Sequence, residues 1–326
     1  MRRKLAAAVF AATLLVTAAC GGDGNGNGGD NTNGDNPDGV DVISVGVIPI
    51  VDVAPLFLGI EQGFFADQNI EIETDTAAGG AEIVPGVESG QWDFGFSNIL
   101  SMMIAHNAGI GIQVVSNGNN STGDPEADFG SLMVRNDSVV QNPAELEGST
   151  IAINTLNAIA DIVVRASILE AGGDPDAVNF VALPFPEMPA ALANGDVDAV
   201  FAVEPFQTAI RDGDIGRSIA SSWVDAAPDL TVAVYFTSSR LASENPDLVQ
   251  RFVTAMQQSL AYANDNPDAV REIIPTYTPI EPDVAAALTL PAWPAEINRA
   301  SAEQLAQRAL DAGLLEEMPD LDALLP

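Results

Sequence analysis

The chain carries a single cysteine, Cys20, a single histidine, His106, and no lysine after Lys4. One cysteine excludes an internal disulfide. One histidine and one cysteine make neither a His/Cys cluster at metal-ligand spacing nor a legible Ser-His-Asp set, and His106 falls in a predicted helix, where a surface or packed role is expected. Without lysine beyond Lys4, the rest of the chain cannot form a Schiff base. Basic residues are scarce throughout: 12 Lys and Arg stand against 46 Asp and Glu, for a formal net charge of −34. Such a surface repels nucleic acid and anionic lipid. Its acids are scattered rather than gathered in a tail, which fits adaptation to concentrated salt, where the Debye length falls to about 3 Å at 1 M, better than a local functional acidic patch. No apolar run reaches the roughly 20 residues that a membrane-spanning helix needs.

What is present begins with an export signal. Arg2, Arg3 and Lys4 precede an apolar run over 5–16 and then small residues, the three-part layout of a secretory leader. Thr17-Ala18-Ala19-Cys20 resembles the bacterial lipobox, with Thr17 where that motif usually has leucine. The resemblance implies cleavage before Cys20, its acylation, and a protein held at the outer face of the cell membrane. Residues 21–40, rich in Gly, Asn and Asp, bury almost nothing apolar and are predicted to be a flexible tether.

From residue 41 onward, strand, turn and helix alternate, the pattern of α/β layers with a largely parallel sheet. The runs at 42–50, 70–74 and 92–98 read as strands of a first series, and those at 150–154, 179–183 and 198–203 as strands of a second. Pro55 sits where a first helical turn accepts proline. A polar break at 119–128 separates the series, and 231–239 is another strong strand. Two such series predict two lobes with chain crossings near 130–135 and 231–237: lobe one from 41–135 plus 233–326, and an inserted lobe two over 136–232. Ligands of open α/β sheets lie outside the carboxyl ends of strands, so two facing lobes make a cleft.

Four segments in one order carry a resemblance: VGVIPIVDVAPLFLGIEQGFF, GQWDFGFSN, LEGSTIAINTLNAIADIVVRASILEAGG and PFPEMPAALANGDVDAVFAVEPF. Together they resemble the nitrate, sulfonate, taurine and thiamine-precursor binding proteins of ABC importers. The resemblance implies a two-lobed type II periplasmic-binding fold that closes by a hinge around a small ligand. It also implies delivery to permease and ATPase partners, most simply by a monomer without cofactor or metal. The fold-sharing yeast-type pyrimidine synthases use a lysine-bound pyridoxal phosphate, which this chain cannot hold, so a non-enzymatic role follows. A ligand-sensing extracellular domain working with a separate signalling chain is the alternative.

The residues predicted at the cleft come from the carboxyl ends of strands. Asp52 is either a ligand group or a helix cap. Gly79 and Gly80 precede a helix N-terminus, whose free N–H groups can hold an anion, or form an ordinary turn. Ser97 and Asn98, with Asn154, Thr155 and Asn157 from the other lobe, can donate and accept toward a polar ligand or cap their helices. Glu204, held out of helical conformation by Pro205, is the sharpest candidate for an amino, hydroxyl or cationic ligand group; otherwise it is an inter-lobe structural carboxylate. Phe185 and Phe206 could stack on a planar ligand, Tyr235 could floor the cleft, and Trp92 and Trp223 are assigned to packing. No arginine is expected at the cleft, which favours an aminopyrimidine-like heterocycle, with an alkylsulfonate, taurine or nitrate second.

Overall fold

The computed structural model describes residues 39–326; the predicted leader, Cys20 and most of the predicted tether lie outside the described residues. Among the described residues ten strands run in chain order: β1 (Asp41–Val47), β2 (Ile70–Thr76), β3 (Phe94–Asn98), β4 (Ile112–Asn120), β5 (Gly130–Arg135), β6 (Thr150–Ile153), β7 (Asn179–Ala182), β8 (Ala199–Val203), β9 (Gly216–Ala220) and β10 (Thr231–Ser238). They form two sheets, ordered β2-β1-β3-β10-β4 and β7-β6-β8-β5-β9. In the first, β1 pairs in parallel with β2 and β3, and β10 runs antiparallel between β3 and β4. In the second, β6 pairs in parallel with β7 and β8, and β5 runs antiparallel between β8 and β9. The two sheets repeat one plan: second strand, first, third, an antiparallel strand, fourth.

One expectation changes. The segment Gly130–Arg135, assigned to lobe one as a crossing, pairs wholly inside the second sheet, with Gly130 opposite Val203 and Val134 opposite Ala199. The chain passes between sheets at 121–129 and 221–230 instead, and these stretches meet where Ser121 N–H donates to the Leu230 carbonyl at 2.8 Å.

Local chemistry accounts for the elements that frame the cleft. Every residue of β10 is buried, as a central strand covered on both faces requires. Pro55 opens the helix Ala54–Glu61 in its first turn, directly after the β1 loop. Asn98 ends β3 and caps the helix Ile99–Asn107, its Oδ1 accepting from Ser101 N–H at 2.8 Å; His106 lies in that helix's last turn. Trp92 has the packing role expected of it: its indole donates to Asp75 at 2.9 Å, and Gly46 and Gly86 lie against its ring. A Cβ on Gly86 would fall 2.4 Å from the ring, in the helix Gly80–Ser89. Alanine gains roughly 1 kcal/mol in helix propensity, but overpacking costs about 1–3 kcal/mol. Gly86→Ala is therefore expected to lower the midpoint of chemical denaturation; an unchanged or raised midpoint would show that Trp92 moves aside freely.

Candidate functional site

The carboxyl ends of β1 and β3 face those of β6 and β8, as the rule for α/β sheets anticipates. Between them lies a small cavity of about 40 Å³. On the same measure one water needs roughly 10–15 Å³, so the space suits about three waters or a solute of few heavy atoms. Ile48, Ile50, Asp52, Phe96, Asn98 and the β10 start line it from the first sheet, and Asn154, Ile159, Ala160, Phe185, Phe201 and Trp223 from the second. A groove of about 290 Å³ adjoins it, sharing Ile48, Ile50 and Phe185 and adding Pro49, Ala77, Ala78, Glu82, Pro184 and Pro186. Larger depressions lie elsewhere. The one of about 360 Å³ beside Arg165 and Arg308 is an unpromising anion site, because those arginines already pair with Asp161, Asp176 and Glu170.

The two sides meet at the glycines. Asn154 Nδ2 donates to the Ala78 carbonyl at 3.3 Å, and a Cβ on Gly79 would stand 2.8 Å from Thr155 Cγ2. On Gly80 a Cβ would come 2.2 Å from the Ser97 hydroxyl. Gly79 and Gly80 thus permit close approach at the cavity's rim rather than lining it.

Asp52 is the dominant polar group. It is 2% exposed, caps no helix, and its Oδ1 closes no hydrogen bond among the described residues. Burial pushes its pKa up to about 7, opposed by a backbone hydrogen bond and by the nearby Asn119 amide, and reinforced by the Asp128 carboxylate. Ser97 Oγ, Thr155 Oγ1, Trp223 Nε1 and Tyr235 OH are likewise buried without a partner among the described residues. Of these, Asp52 and Trp223 line the cavity, and Tyr235 stands near enough to feel the Asp52 charge; buried polar side chains are ordinarily paired, so unmet groups in one lining mark a place for a polar solute. No residue lining the cavity is basic.

Several predicted residues sit elsewhere. Glu204 is fully buried but does not line the cavity. Its carboxylate accepts from Thr208 N–H at 3.0 Å, Thr208 Oγ1 at 2.8 Å and Thr289 N–H at 3.2 Å. Its backbone accepts from Val51 and donates to Phe129. Glu204 thus ties the β1 loop, the segment before β5 and the Thr289 segment to the end of β8, and burial raises its pKa to about 7. Asn157 is exposed in a left-handed turn with φ of 54°. Phe206 stacks behind Phe185, centroids 6.5 Å apart, and only Phe185 reaches the cavity. Trp223, read as packing, lines the cavity as well. Asn119, beside Asp52, was not singled out: it opens the polar stretch 119–128 that reads as a break, and only its pairing with buried β10 could have signalled otherwise.

The two sheets of like strand order, with the buried cavity between them, define an α/β chain of the periplasmic-binding fold. The family model described as NMT1/THI5 like matches residues 50–270, and the chain belongs to that family. Among curated proteins it is 25% identical over 232 residues to the bicarbonate-binding protein CmpA of Synechococcus elongatus, covering 60% of this chain and 52% of that one. The chain thus spans about half the length of the curated relatives it matches. Among solved structures it resembles the ligand-binding component of an ABC-type import system from Staphylococcus aureus. There the TM-score is 0.75 and identity 18%, over 88% of this chain and 96% of that one. The alkanesulfonate-binding protein SsuA of Xanthomonas axonopodis, bound to MOPS, gives 0.71 and 18% over 85% and 95%.

Proposed function

We propose that this chain is the solute-binding component of an ABC importer, anchored through acylated Cys20 outside the cell membrane and acting as a monomer with a permease and an ATPase. The observation that carries the reading is the buried cavity between the two sheets, with the unpartnered Asp52 Oδ1 and Trp223 Nε1 in its lining. With a carboxyl group at its centre and no basic side chain in its lining, the cavity favours a hydrogen-bond donor or a cation, such as the amino end of an aminopyrimidine-like heterocycle whose ring extends into the adjoining groove. One observation favours a second reading. The helix Ile159–Glu170 has no side-chain cap, and its first residues line the cavity, so its N–H groups could hold an oxyanion such as an alkylsulfonate, taurine, nitrate or bicarbonate beside a protonated Asp52.

The pH dependence of binding separates the two. A donor-bearing solute needs ionised Asp52, so its affinity rises about tenfold per unit up to pH 7 and then levels off. An oxyanion needs the protonated form, so its affinity is level below pH 7 and falls above it. Calorimetric titration with 4-aminopyrimidine, taurine, methanesulfonate, nitrate and bicarbonate at pH 6 and 8 reads the sign directly. A folded protein that binds none of these probes at either pH would count against the importer reading.

A further inference from the structure

We infer that Asn119 is a specificity-determining residue of this cavity: beside Asp52, it reads a ligand edge that donates and accepts hydrogen bonds from adjacent atoms, as an amide, urea or amidine-type group does. The inference rests on the binding-site reading and narrows it.

Asn98, Ala233 and Asn119 stand in register across β3, β10 and β4. Directly opposed residues of antiparallel strands put their side chains on one face, and Asn98 and Ala233 line the cavity. The register shifts on both sides of the Ala233–Asn119 pair. Such irregularities re-aim side chains beside functional sites. Here the close approach is enforced at Gly118, where a Cβ would stand 2.8 Å from the Ala233 carbonyl oxygen.

The neighbouring asparagines show what an ordinary structural role looks like. Asn117 Nδ2 donates to Asn120 Oδ1 at 3.1 Å and to the Pro294 carbonyl at 2.7 Å. Asn120 Nδ2 donates to the Asp229 carbonyl at 3.3 Å. Asn119 is fully buried, yet neither Nδ2 nor Oδ1 closes a hydrogen bond among the described residues. Its amide stands near enough to Asp52 to lower that group's pKa, short of hydrogen-bond geometry. A leucine of similar shape would avoid two unmet polar groups.

An amide with both ends free is satisfied by a partner that offers an acceptor and a donor side by side, the pairing asparagine makes with the edge of adenine. An oxyanion has only acceptors and would leave Oδ1 unmet; an ammonium has only donors and would leave Nδ2 unmet. The carboxyl of Asp52 takes a further donor from the same edge.

The test uses Asn119→Leu and Asn119→Asp in the full chain, with acetamide, urea and 4-aminopyrimidine as probes against methanesulfonate and nitrate. Asn119→Leu is expected to melt no lower than wild type without probe and to bind the amide-type probes at least tenfold more weakly; Asn119→Asp should lose binding similarly. An Asn119→Leu chain that melts well below wild type with unchanged affinity would make the residue structural and overturn the inference. Asp52-dependent binding of the oxyanions alone, indifferent to Asn119→Leu, would also overturn it while leaving the binding site in place. Binding of every probe unchanged in Asp52→Asn would instead remove the site itself.

Discussion

At pH 8, Asp52→Asn is expected to melt higher than the wild-type chain while binding its solute at least a hundredfold more weakly. The native pKa of Asp52 is about 7, against 3.8 for the free group. Between those values the native state holds a proton that the unfolded state has released, so stability declines as pH rises from about 4 to 7 and stays reduced above. About three units correspond to roughly 4 kcal/mol as a ceiling. Asparagine keeps the shape and never ionises, so its advantage is nil at pH 4 and full at pH 8. For a chain of this size that is on the order of 8–16 °C in melting midpoint. Binding moves the other way, because Asn cannot present the charge. Melting scans at pH 4 and 8 check the first half, and titration with 4-aminopyrimidine checks the second. Equal midpoints at both pH values would mean that Asp52 is solvated rather than buried in a dry cavity.

Glu204→Ala should be among the most destabilising substitutions in the chain, by about 2–5 kcal/mol. It strands the N–H groups of Thr208 and Thr289 in a buried place and leaves a void. Glu204→Gln is expected to cost about 1–2 kcal/mol, because its amide nitrogen must face either the Thr208 or the Thr289 N–H as donor against donor. Solute affinity falls in both variants although Glu204 touches no part of the cavity, since the tie sets how the β1 loop, β8 and the C-terminal segment sit together. Urea denaturation with and without solute measures both effects. A Glu204→Ala chain of wild-type stability that has lost binding would return Glu204 to the ligand.

The strands and helices that frame the cleft were legible because burial writes itself into composition. The apolar runs of β1, β3 and β10, the proline at the head of the first helix, and glycine or asparagine at strand ends needed no tertiary knowledge. The strand β9 was not seen, since GRSIA is short and only partly buried. The sheet to which β5 belongs was misassigned for a different reason: its apolar run declares a buried strand without naming its partners. Among site residues, Asp52, Asn98, Asn154 and Phe185 reach the cavity because the carboxyl ends of strands point there. Asn119 and Trp223 escaped because their importance arises from a strand pairing and a crossing segment that bring distant stretches together. Glu204 shows the reverse, a lone carboxylate in an apolar setting whose partners, Thr208 and Thr289, lie four and 85 positions away.

The placement of β10 has a consequence for how the molecule is made. It lies between β3 and β4, so the first sheet cannot close until residues near 238 are available. The second sheet is built from the contiguous stretch 130–220. A chain emerging from its N-terminus therefore completes its second half before its first. Until then β3 and β4 wait with unpaired edges, and the slow, long-range step is the arrival of one central strand.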